Sequence, residues 1–201
     1  EIPSIEATKQ LMNHKDIALV LATGGSGMVK SAYSTGKPAL GVGPGNVPTY
    51  IEKTAHTKRA VNDIIGSKTF DNGMSCASEQ VMVVDKEVYS DVVKEFKLHQ
   101  TYFVNKNELQ QLEDAIMNED KTAVKPDIVG KSAVDIAKLS GISVPEKTKL
   151  LVAEIDGIGN DYPLSREKLS PLLAMVTAKS TRHALQICKY TFCCWRNWKY
   201  V

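Results

Sequence analysis

Cys76 is the side chain of this sequence best suited to nucleophilic chemistry. It lies in the segment FDNGMSCASEQ, residues 70–80, where glycine and small polar neighbours leave the sulfur open to a substrate. A thiolate nucleophile requires such an approach, together with backbone N–H groups that stabilise a developing oxyanion. The alternative is a buried structural cysteine, since free cysteines are among the most buried residues. Because small residues in a polar loop do not build a core, the segment favours the nucleophile.

The other cysteines are Cys188, Cys193 and Cys194. The sequence has neither a CxxC pair nor the Cys/His spacing of a zinc site, so we predict no metal. A disulfide framework is implausible in a chain of 201 residues without secretion signals. We therefore expect reduced thiols and a cytoplasmic protein.

A glycine-rich turn at Gly24 and Gly25 is the second feature that could do chemistry. The apolar run before it, at 17–22, predicts a strand buried on both faces, and the segment after it predicts a helix that ends near Gly36. A strand, a glycine-rich turn and a helix in this order are typical of a nucleotide-binding α/β unit. A plain tight turn is the alternative, because the GxGxxG spacing is absent. A thiol nucleophile combined with a nucleotide site indicates thiohemiacetal formation followed by hydride transfer.

The rest of the sequence predicts alternating strands and helices. The proline- and glycine-rich segment 38–48 predicts a bend or a domain crossing. Apolar and β-branched runs predict strands at 49–51, 81–84, 149–153 and 172–176. Apolar residues at helical spacing predict helices at 57–67, 86–96, 108–117 and 132–140. Cys76 is therefore expected in a loop between a helix and a strand of an α/β protein.

The composition is that of an ordinary globular protein of one or two domains, with 43% hydrophobic and 24% charged residues. A formal net charge of +2 provides no field of one sign, so we predict neither a nucleic acid nor a membrane as partner. The longest apolar run is also far too short to span a bilayer. Chemistry on a small molecule is the remaining expectation.

Four sequence blocks resemble the aldehyde dehydrogenase half of bifunctional aldehyde-alcohol dehydrogenases. They are TGGSGMVKSAYSTGKPALGVGPGNVP at 23–48, FDNGMSCASEQ at 70–80, IVGKSAVDIAKLSGISVP at 128–145 and EKLSPLLAM at 167–175. Together with their spacers they extend the resemblance over about residues 1–190. CoA-dependent succinate semialdehyde dehydrogenases share the cysteine motif in slightly altered form.

The resemblance implies a cysteine thioester mechanism. Cys76 would attack a small aldehyde such as acetaldehyde, the thiohemiacetal would give hydride to NAD, and the thioester would pass to CoA; the reverse reaction makes aldehyde from acyl-CoA in fermentation. Thr23, Gly24 and Gly25 match the family turn that borders the cofactor, and Glu167 matches the glutamate that holds the nicotinamide ribose. For Glu167 a solvated glutamate at a helix start is the alternative. The intact family enzymes form homo-oligomers.

The resemblance also implies a partial aldehyde dehydrogenase fold of class α/β. We expect residues 1–40 to be the end of a Rossmann-like NAD-binding domain and residues 41–189 to be most of a catalytic domain. Residues 190–201 depart from the family, where a glycine-rich turn is expected, and a frameshift or a misjoined gene model would explain that tail. A truncated, inactive remnant and a non-catalytic nucleotide-binding or assembly module, in which Cys76 is dispensable, are the alternatives to an active enzyme.

One departure from the wider superfamily favours acyl transfer to CoA. Hydrolytic aldehyde dehydrogenases place a glutamate in the stretch that corresponds to 40–45, where it activates water against the thioester. This sequence has no carboxylate between Gly36 and Glu52. The acyl-enzyme is therefore expected to survive until CoA accepts the acyl group.

Overall fold

A computed structural model describes residues 4–43 and 45–193, apart from the side chain of Ser26. The chain divides into two compact units, Glu1–Pro44 and Gly45–Val201. Most of the predicted tail at 190–201, namely residues 194–201, lies outside the described residues. Its first residues, up to Cys193, belong to a helix.

In the described part of the first unit, two parallel strands pair, β1 (Val20–Thr23) and β2 (Ala39–Val42). Helix α1 (Ile5–Asn13) precedes them and α2 (Ser26–Tyr33) connects them. The α1 helix begins where the Ser4 hydroxyl accepts a hydrogen bond from a backbone N–H of the first turn. A small core forms where both helices pack on one face of the sheet. Its buried residues are Met12 of α1, Ala32 of α2, and Val20 and Ala22 of β1.

The first strand differs from the prediction at 17–22. It begins at Val20, and its side chains alternate between buried and exposed. Leu21 is 71% exposed, and Leu40 on the neighbouring strand is also exposed. The prediction of burial on both faces is wrong because α1 and α2 pack on the same face of these strands. Strand β2 lies within the proline- and glycine-rich segment 38–48, where the sequence predicted a bend or a domain crossing but no strand.

The second unit is built on a parallel sheet. Five strands of its described residues pair in the order β3, β4, β7, β6, β5, and every pairing is parallel. Their bounds are β3 Val47–Ile51, β4 Glu79–Asp85, β5 Thr101–Val104, β6 Leu150–Glu154 and β7 Leu172–Ala178. The central strands β4, β6 and β7 are buried along most of their length, as expected for parallel strands covered on both faces.

Helices cover both faces of this sheet. They are α3 Thr57–Thr69, α4 Tyr89–Lys97, α5 Lys106–Ile116, α6 Ala133–Leu139 and α7 Thr181–Cys193, with short 3₁₀ turns at Phe70–Gly73, Pro126–Ile128 and Pro163–Ser165. Helices α3 and α4 pack on one face, while α5 and α6 and α7 pack on the other. The strands predicted at 49–51, 81–84, 149–153 and 172–176 and the four predicted helices are confirmed within a few residues. The sequence did not predict α1, β5 or α7.

Among the described residues, none of the helices combines the length and the apolar character that crossing a membrane would require.

Candidate active site

The candidate site residues of the second unit meet at one edge of its sheet. Gly45 precedes β3, Cys76 precedes β4, and Glu167 precedes β7. These strands are parallel neighbours, so their amino ends lie side by side. Segments that are distant in sequence are brought together in this way.

The loop that carries Cys76 follows α3 through a left-handed turn. Asp71, Asn72 and Gly73 have φ angles of 47°, 49° and 71°. A side chain on residue 73 would place its Cβ 2.6 Å from the carbonyl group of Ser170. Glycine is therefore required at this position, both for its conformation and for the close approach of the backbone.

The Cys76 thiol is exposed. The Ser78 N–H donates to the Ser75 carbonyl at 3.0 Å, which closes a turn with Cys76 and Ala77 at its centre. The Ser78 hydroxyl donates to the Gly73 carbonyl at 3.4 Å and holds the end of the loop to its beginning. The alternative of a buried structural cysteine is wrong, and the sulfur has the accessibility that a nucleophile requires.

Glu167 lies in the segment between the 3₁₀ turn Pro163–Ser165 and β7, and its side chain is half-buried. The alternative of a solvated glutamate at a helix start is therefore wrong. Its Oε1 atom accepts a hydrogen bond from the backbone N–H of Gly45 at 3.2 Å. The carboxylate is thus held at the same sheet edge as the cysteine loop.

Gly45 lies between the cysteine loop and the glutamate. A Cβ atom built on Gly45 would lie 3.0 Å from the carbonyl oxygen of Cys76 and 3.9 Å from Oε1 of Glu167. The structure therefore brings the backbone of Cys76 and the carboxylate of Glu167, which are 91 positions apart by their numbers (167 minus 76), against the same glycine.

A buried polar cluster supports both segments and was not predicted from the sequence. Lys68 of α3, Gln80 of β4 and Lys168 are each 0% exposed. The Gln80 Oε1 atom accepts hydrogen bonds from Lys68 Nζ at 3.1 Å and from the Lys168 N–H at 3.0 Å. The Lys168 ammonium donates to the carbonyls of Gln80, Leu164 and Arg166. The only sequence signal for this cluster was the proximity of Gln80 and Lys168 to Cys76 and Glu167.

Burial shifts the pKa values of the ionisable groups in this cluster. It lowers the pKa of Lys68 to about 7, while the Glu79 and Glu167 carboxylates act in the opposite direction. Burial and the neighbouring Lys68 hold the pKa of Lys168 well below its usual range. The pKa of Glu167 is raised by burial, which the Gly45 N–H and the two lysines partly offset.

The glycine-rich turn belongs to the first unit. Thr23 ends β1, the Gly24 N–H donates to the Val42 carbonyl at 3.0 Å, and Gly25 caps the start of α2. Gly25 is exposed, and a Cβ atom on it would meet no heavy atom within 4 Å. The predicted strand, turn and helix are present, and the backbone of the turn is open to a ligand.

Within the described ranges 4–43 and 45–193, no group of three or more His, Cys, Asp or Glu side chains is arranged to hold a metal ion.

The chain belongs to the aldehyde dehydrogenase family, whose family model matches residues 3–125. It is 53% identical over 185 residues to an aldehyde-alcohol dehydrogenase of Streptococcus pneumoniae, covering 89% of this chain and 21% of that protein. The chain thus spans about a fifth of this curated relative. The resemblance inferred from the four sequence blocks is confirmed.

Solved structures of acylating enzymes share the fold. An acetylating aldehyde dehydrogenase of Geobacillus thermoglucosidasius is 47% identical, with a TM-score of 0.89 over 94% of this chain and 41% of that chain. A propionaldehyde dehydrogenase of Rhodopseudomonas palustris, solved with bound CoA and an acylated cysteine, is 30% identical, with a TM-score of 0.86 over 95% of this chain and 43% of that one. The predicted fold class, a partial α/β aldehyde dehydrogenase fold, is confirmed.

Proposed function

We propose that this chain carries the nucleophile of an NAD-dependent, CoA-acylating aldehyde dehydrogenase. The reaction converts a small aldehyde such as acetaldehyde, with CoA and NAD, to an acyl-CoA and NADH, and it is reversible. The observation that carries this proposal is that Cys76 is exposed in a loop whose backbone packs against Gly45, the residue whose N–H holds the Glu167 carboxylate.

Cys76 is assigned the covalent chemistry. Its thiolate Sγ forms a bond to the carbonyl carbon of the aldehyde, and the carbonyl electron pair moves to the oxygen. Once the resulting thiohemiacetal has lost hydride, Cys76 holds the acyl group as a thioester. Attack by the CoA thiolate on that carbonyl then breaks the bond to Sγ and restores the Cys76 thiolate.

The residues proposed to bind the cofactor are Thr23, Gly24, Gly25 and Glu167. At the carboxyl end of β1, Thr23, Gly24 and Gly25 offer an open backbone turn before a helix, where a pyrophosphate is favoured. Glu167 offers a carboxylate to ribose hydroxyls while one of its oxygens is fixed by the Gly45 N–H. NAD, when bound, supplies the hydride acceptor.

The acyl acceptor is proposed to be CoA rather than water. The segment between Gly36 and Glu52 has no carboxylate that could activate a water molecule. The relative from Rhodopseudomonas palustris, with its bound CoA and acylated cysteine, supports the same interpretation. The family resemblance further supports a cytoplasmic, homo-oligomeric enzyme that acts in fermentation.

Acyl transfer to Cys76 is the step that tests the proposal on the chain itself. Incubation with acetyl-CoA is expected to form an acetyl thioester on Cys76 and to release CoA, without any need for NAD. Peptide mass spectrometry locates the acetyl group, and chromatography measures the CoA. In the Cys76→Ala variant neither product is expected.

Two outcomes would contradict this function. Acetylation of Cys188 to the same extent as Cys76 would show nonspecific thiol exchange. Rapid release of acetate from the acetylated chain without CoA would show a hydrolytic enzyme and would overturn the argument from the absent carboxylate.

A further inference from the structure

The side chain of Gln80 is fully buried and its hydrogen-bonding capacity is used on both sides of the amide. Oε1 accepts from Lys68 Nζ at 3.1 Å and from the Lys168 N–H at 3.0 Å. Nε2 donates to the carbonyl oxygen of Ser78 at 3.2 Å and to its hydroxyl at 3.3 Å. An amide side chain can accept two hydrogen bonds at its oxygen and donate two from its nitrogen, so the hydrogen-bonding capacity of Gln80 is fully used.

The orientation of this amide is dictated by its partners. The backbone N–H of Lys168 only donates, so the oxygen must face Lys168, and Lys68 Nζ lies on the same side of the amide. The carbonyl of Ser78 only accepts, so the nitrogen must face Ser78. A carboxylate in the same place could still accept hydrogen bonds from Lys68 and Lys168. It would also place a carboxylate oxygen next to the Ser78 carbonyl oxygen, and neither oxygen could donate a hydrogen bond to the other.

The two sides of the amide belong to the two segments of the candidate site. On the nitrogen side, Ser78 ends the cysteine loop, and its hydroxyl donates to the Gly73 carbonyl at the start of that loop. On the oxygen side, Lys168 directly follows Glu167, whose carboxylate accepts from Gly45. Gln80, near the start of β4, therefore bridges the two segments.

The lysines on the oxygen side fasten this bridge. The side chain of Lys168 also contacts β4, because its Nζ atom donates a hydrogen bond to the backbone carbonyl of Gln80 at 3.0 Å. Burying two amines is costly unless their hydrogen bonds are satisfied, and the pKa of each is lowered by burial. Such an arrangement specifies one geometry, because a buried network that is only partly satisfied is unfavourable.

We propose that Gln80 is a positioning residue, which holds the Cys76 loop and the Glu167 segment in register through the two sides of its amide. The proposal rests on the proposed function only for the catalytic roles of Cys76 and Glu167. Gln80 itself does not touch the substrate. Its effect on the geometry can be measured in the chain without any turnover.

Two substitutions separate the two sides of the bridge. Gln80→Met removes all four side-chain hydrogen bonds with little change of shape. Gln80→Glu keeps an acceptor for Lys68 and for the Lys168 N–H but removes both donors to Ser78. Ser140→Ala is the matched control, because it removes a buried hydrogen bond at the end of α6.

The readouts are the alkylation rate of Cys76 by iodoacetamide between about pH 6 and about pH 9, resolved by peptide mass spectrometry, and amide hydrogen exchange measured by NMR. The informative amides are those of Ser78 in the cysteine loop, Lys168 beside Glu167, and Gly45. In Gln80→Met, Cys76 alkylation is expected to change at least about threefold, and exchange at all these amides to accelerate about fivefold, as expected for loss of individual hydrogen bonds. Gln80→Glu is expected to change Cys76 alkylation and Ser78 exchange while Lys168 and Gly45 stay protected.

A purely structural role for Gln80 predicts a different pattern. Gln80→Met would then accelerate exchange at Lys168 alone, or would match Ser140→Ala at every amide, and the alkylation profile of Cys76 would follow that of the unchanged chain. Either result overturns the proposal. If Gln80→Met does not fold, Gln80→Glu decides the question: hydrogen exchange should accelerate at the Ser78 amide and stay slow at the Lys168 amide. A failure to acetylate Cys76 from acetyl-CoA would count only against the proposed function.

Discussion

The backbone N–H of Gly45 donates to the carboxylate of Glu167 at 3.2 Å, although the two residues are 122 positions apart. This contact joins the segment before β3 to the segment before β7. The carbonyl of Cys76 lies against the same glycine, because β4 runs between the other two strands. The candidate site is therefore a consequence of strand order, and Gly45 is the residue that contacts both other segments.

Gly45→Ala is expected to disturb this contact. The new Cβ would lie 3.0 Å from the carbonyl oxygen of Cys76, so the cysteine loop would have to move by a few tenths of an ångström. We expect acetylation of Cys76 by acetyl-CoA to slow by about tenfold, because reacting groups tolerate little misplacement. Stability is expected to fall by about 1–2 kcal/mol through overpacking. Peptide mass spectrometry and urea unfolding measure the two effects.

Gly66→Ala is the control for that substitution. Gly66 lies within α3, and a Cβ on it would meet no heavy atom within 4 Å. An alanine there is expected to stabilise the chain by about 0.5–1 kcal/mol and to leave Cys76 acetylation unchanged. Equal acetylation rates in Gly45→Ala and Gly66→Ala would contradict the close packing of Gly45 against the cysteine loop.

The central elements of the fold are predictable from local pattern. Strand β4 is rich in valine and β7 is apolar, and buried parallel strands have this composition. Strand β2 was not predicted because its residues lie among prolines and glycines, and β5 because it spans only four residues. In both cases pairing with a neighbouring strand, rather than local propensity, determines the structure.

The candidate site is predictable in part. The small, polar neighbours of Cys76 predict an accessible thiol from the sequence alone, and Cys76 is exposed in the structure. The roles of Lys68 and Gln80 are not predictable in this way, because lysine is rarely buried and Gln80, which accepts its hydrogen bond, lies on a different element. Lys168, for instance, lies 88 positions from the Gln80 side chain that accepts its N–H.

Cys76 is expected to be alkylated by iodoacetamide faster than Cys188 in the folded chain. Cys76 is exposed, whereas Cys188 is half-buried, and burial raises the pKa of the Cys188 thiol. Since the thiolate is the reacting species, burial slows Cys188 both by restricting access to its sulfur and by raising its pKa. Peptide mapping after brief labelling tests the order. Denaturation in urea should remove the difference, and preferential labelling of Cys188 in the native state would count against the site.

Residues 1–201 alone are expected to form NADH slowly, even where Cys76 accepts an acetyl group. A dinucleotide site is built at the carboxyl ends of several parallel strands, and the described part of the first unit contributes two. The assay follows NADH absorbance with acetaldehyde, CoA and NAD, beside the Cys76→Ala variant. Robust NADH formation that disappears in Cys76→Ala would show that two strands suffice for the cofactor.

Stability is expected to rise with pH above neutrality because of Lys68. Its pKa is lowered by burial from an ordinary 10.5 to about 7. Between these values the unfolded chain binds a proton that the folded chain does not, so raising the pH favours the folded state by about 1.4 kcal/mol per pH unit for one such lysine. Lys168, whose pKa is also lowered, acts with the same sign. Below about pH 7 Lys68 is protonated in both states, and its contribution no longer changes with pH.

Lys68→Met tests this pH dependence, because methionine fills a similar volume without an ionisable group. The free energy of unfolding, measured with urea under reducing conditions from about pH 7.5 to about pH 9.5, is expected to lose about 1.4 kcal/mol per pH unit of slope in this variant. Cys188 and Tyr89, whose pKa values are raised by burial, the latter to about 12, act with the opposite sign at alkaline pH, but they are present in every variant and do not affect the comparison of slopes. Lys94→Met, at an exposed position of α4, should keep the slope of the unchanged chain. Equal slopes of the free energy of unfolding against pH in Lys68→Met and Lys94→Met would contradict this prediction. They would show that Lys68 stays protonated in the folded chain and donates to Gln80 as an ammonium throughout this range.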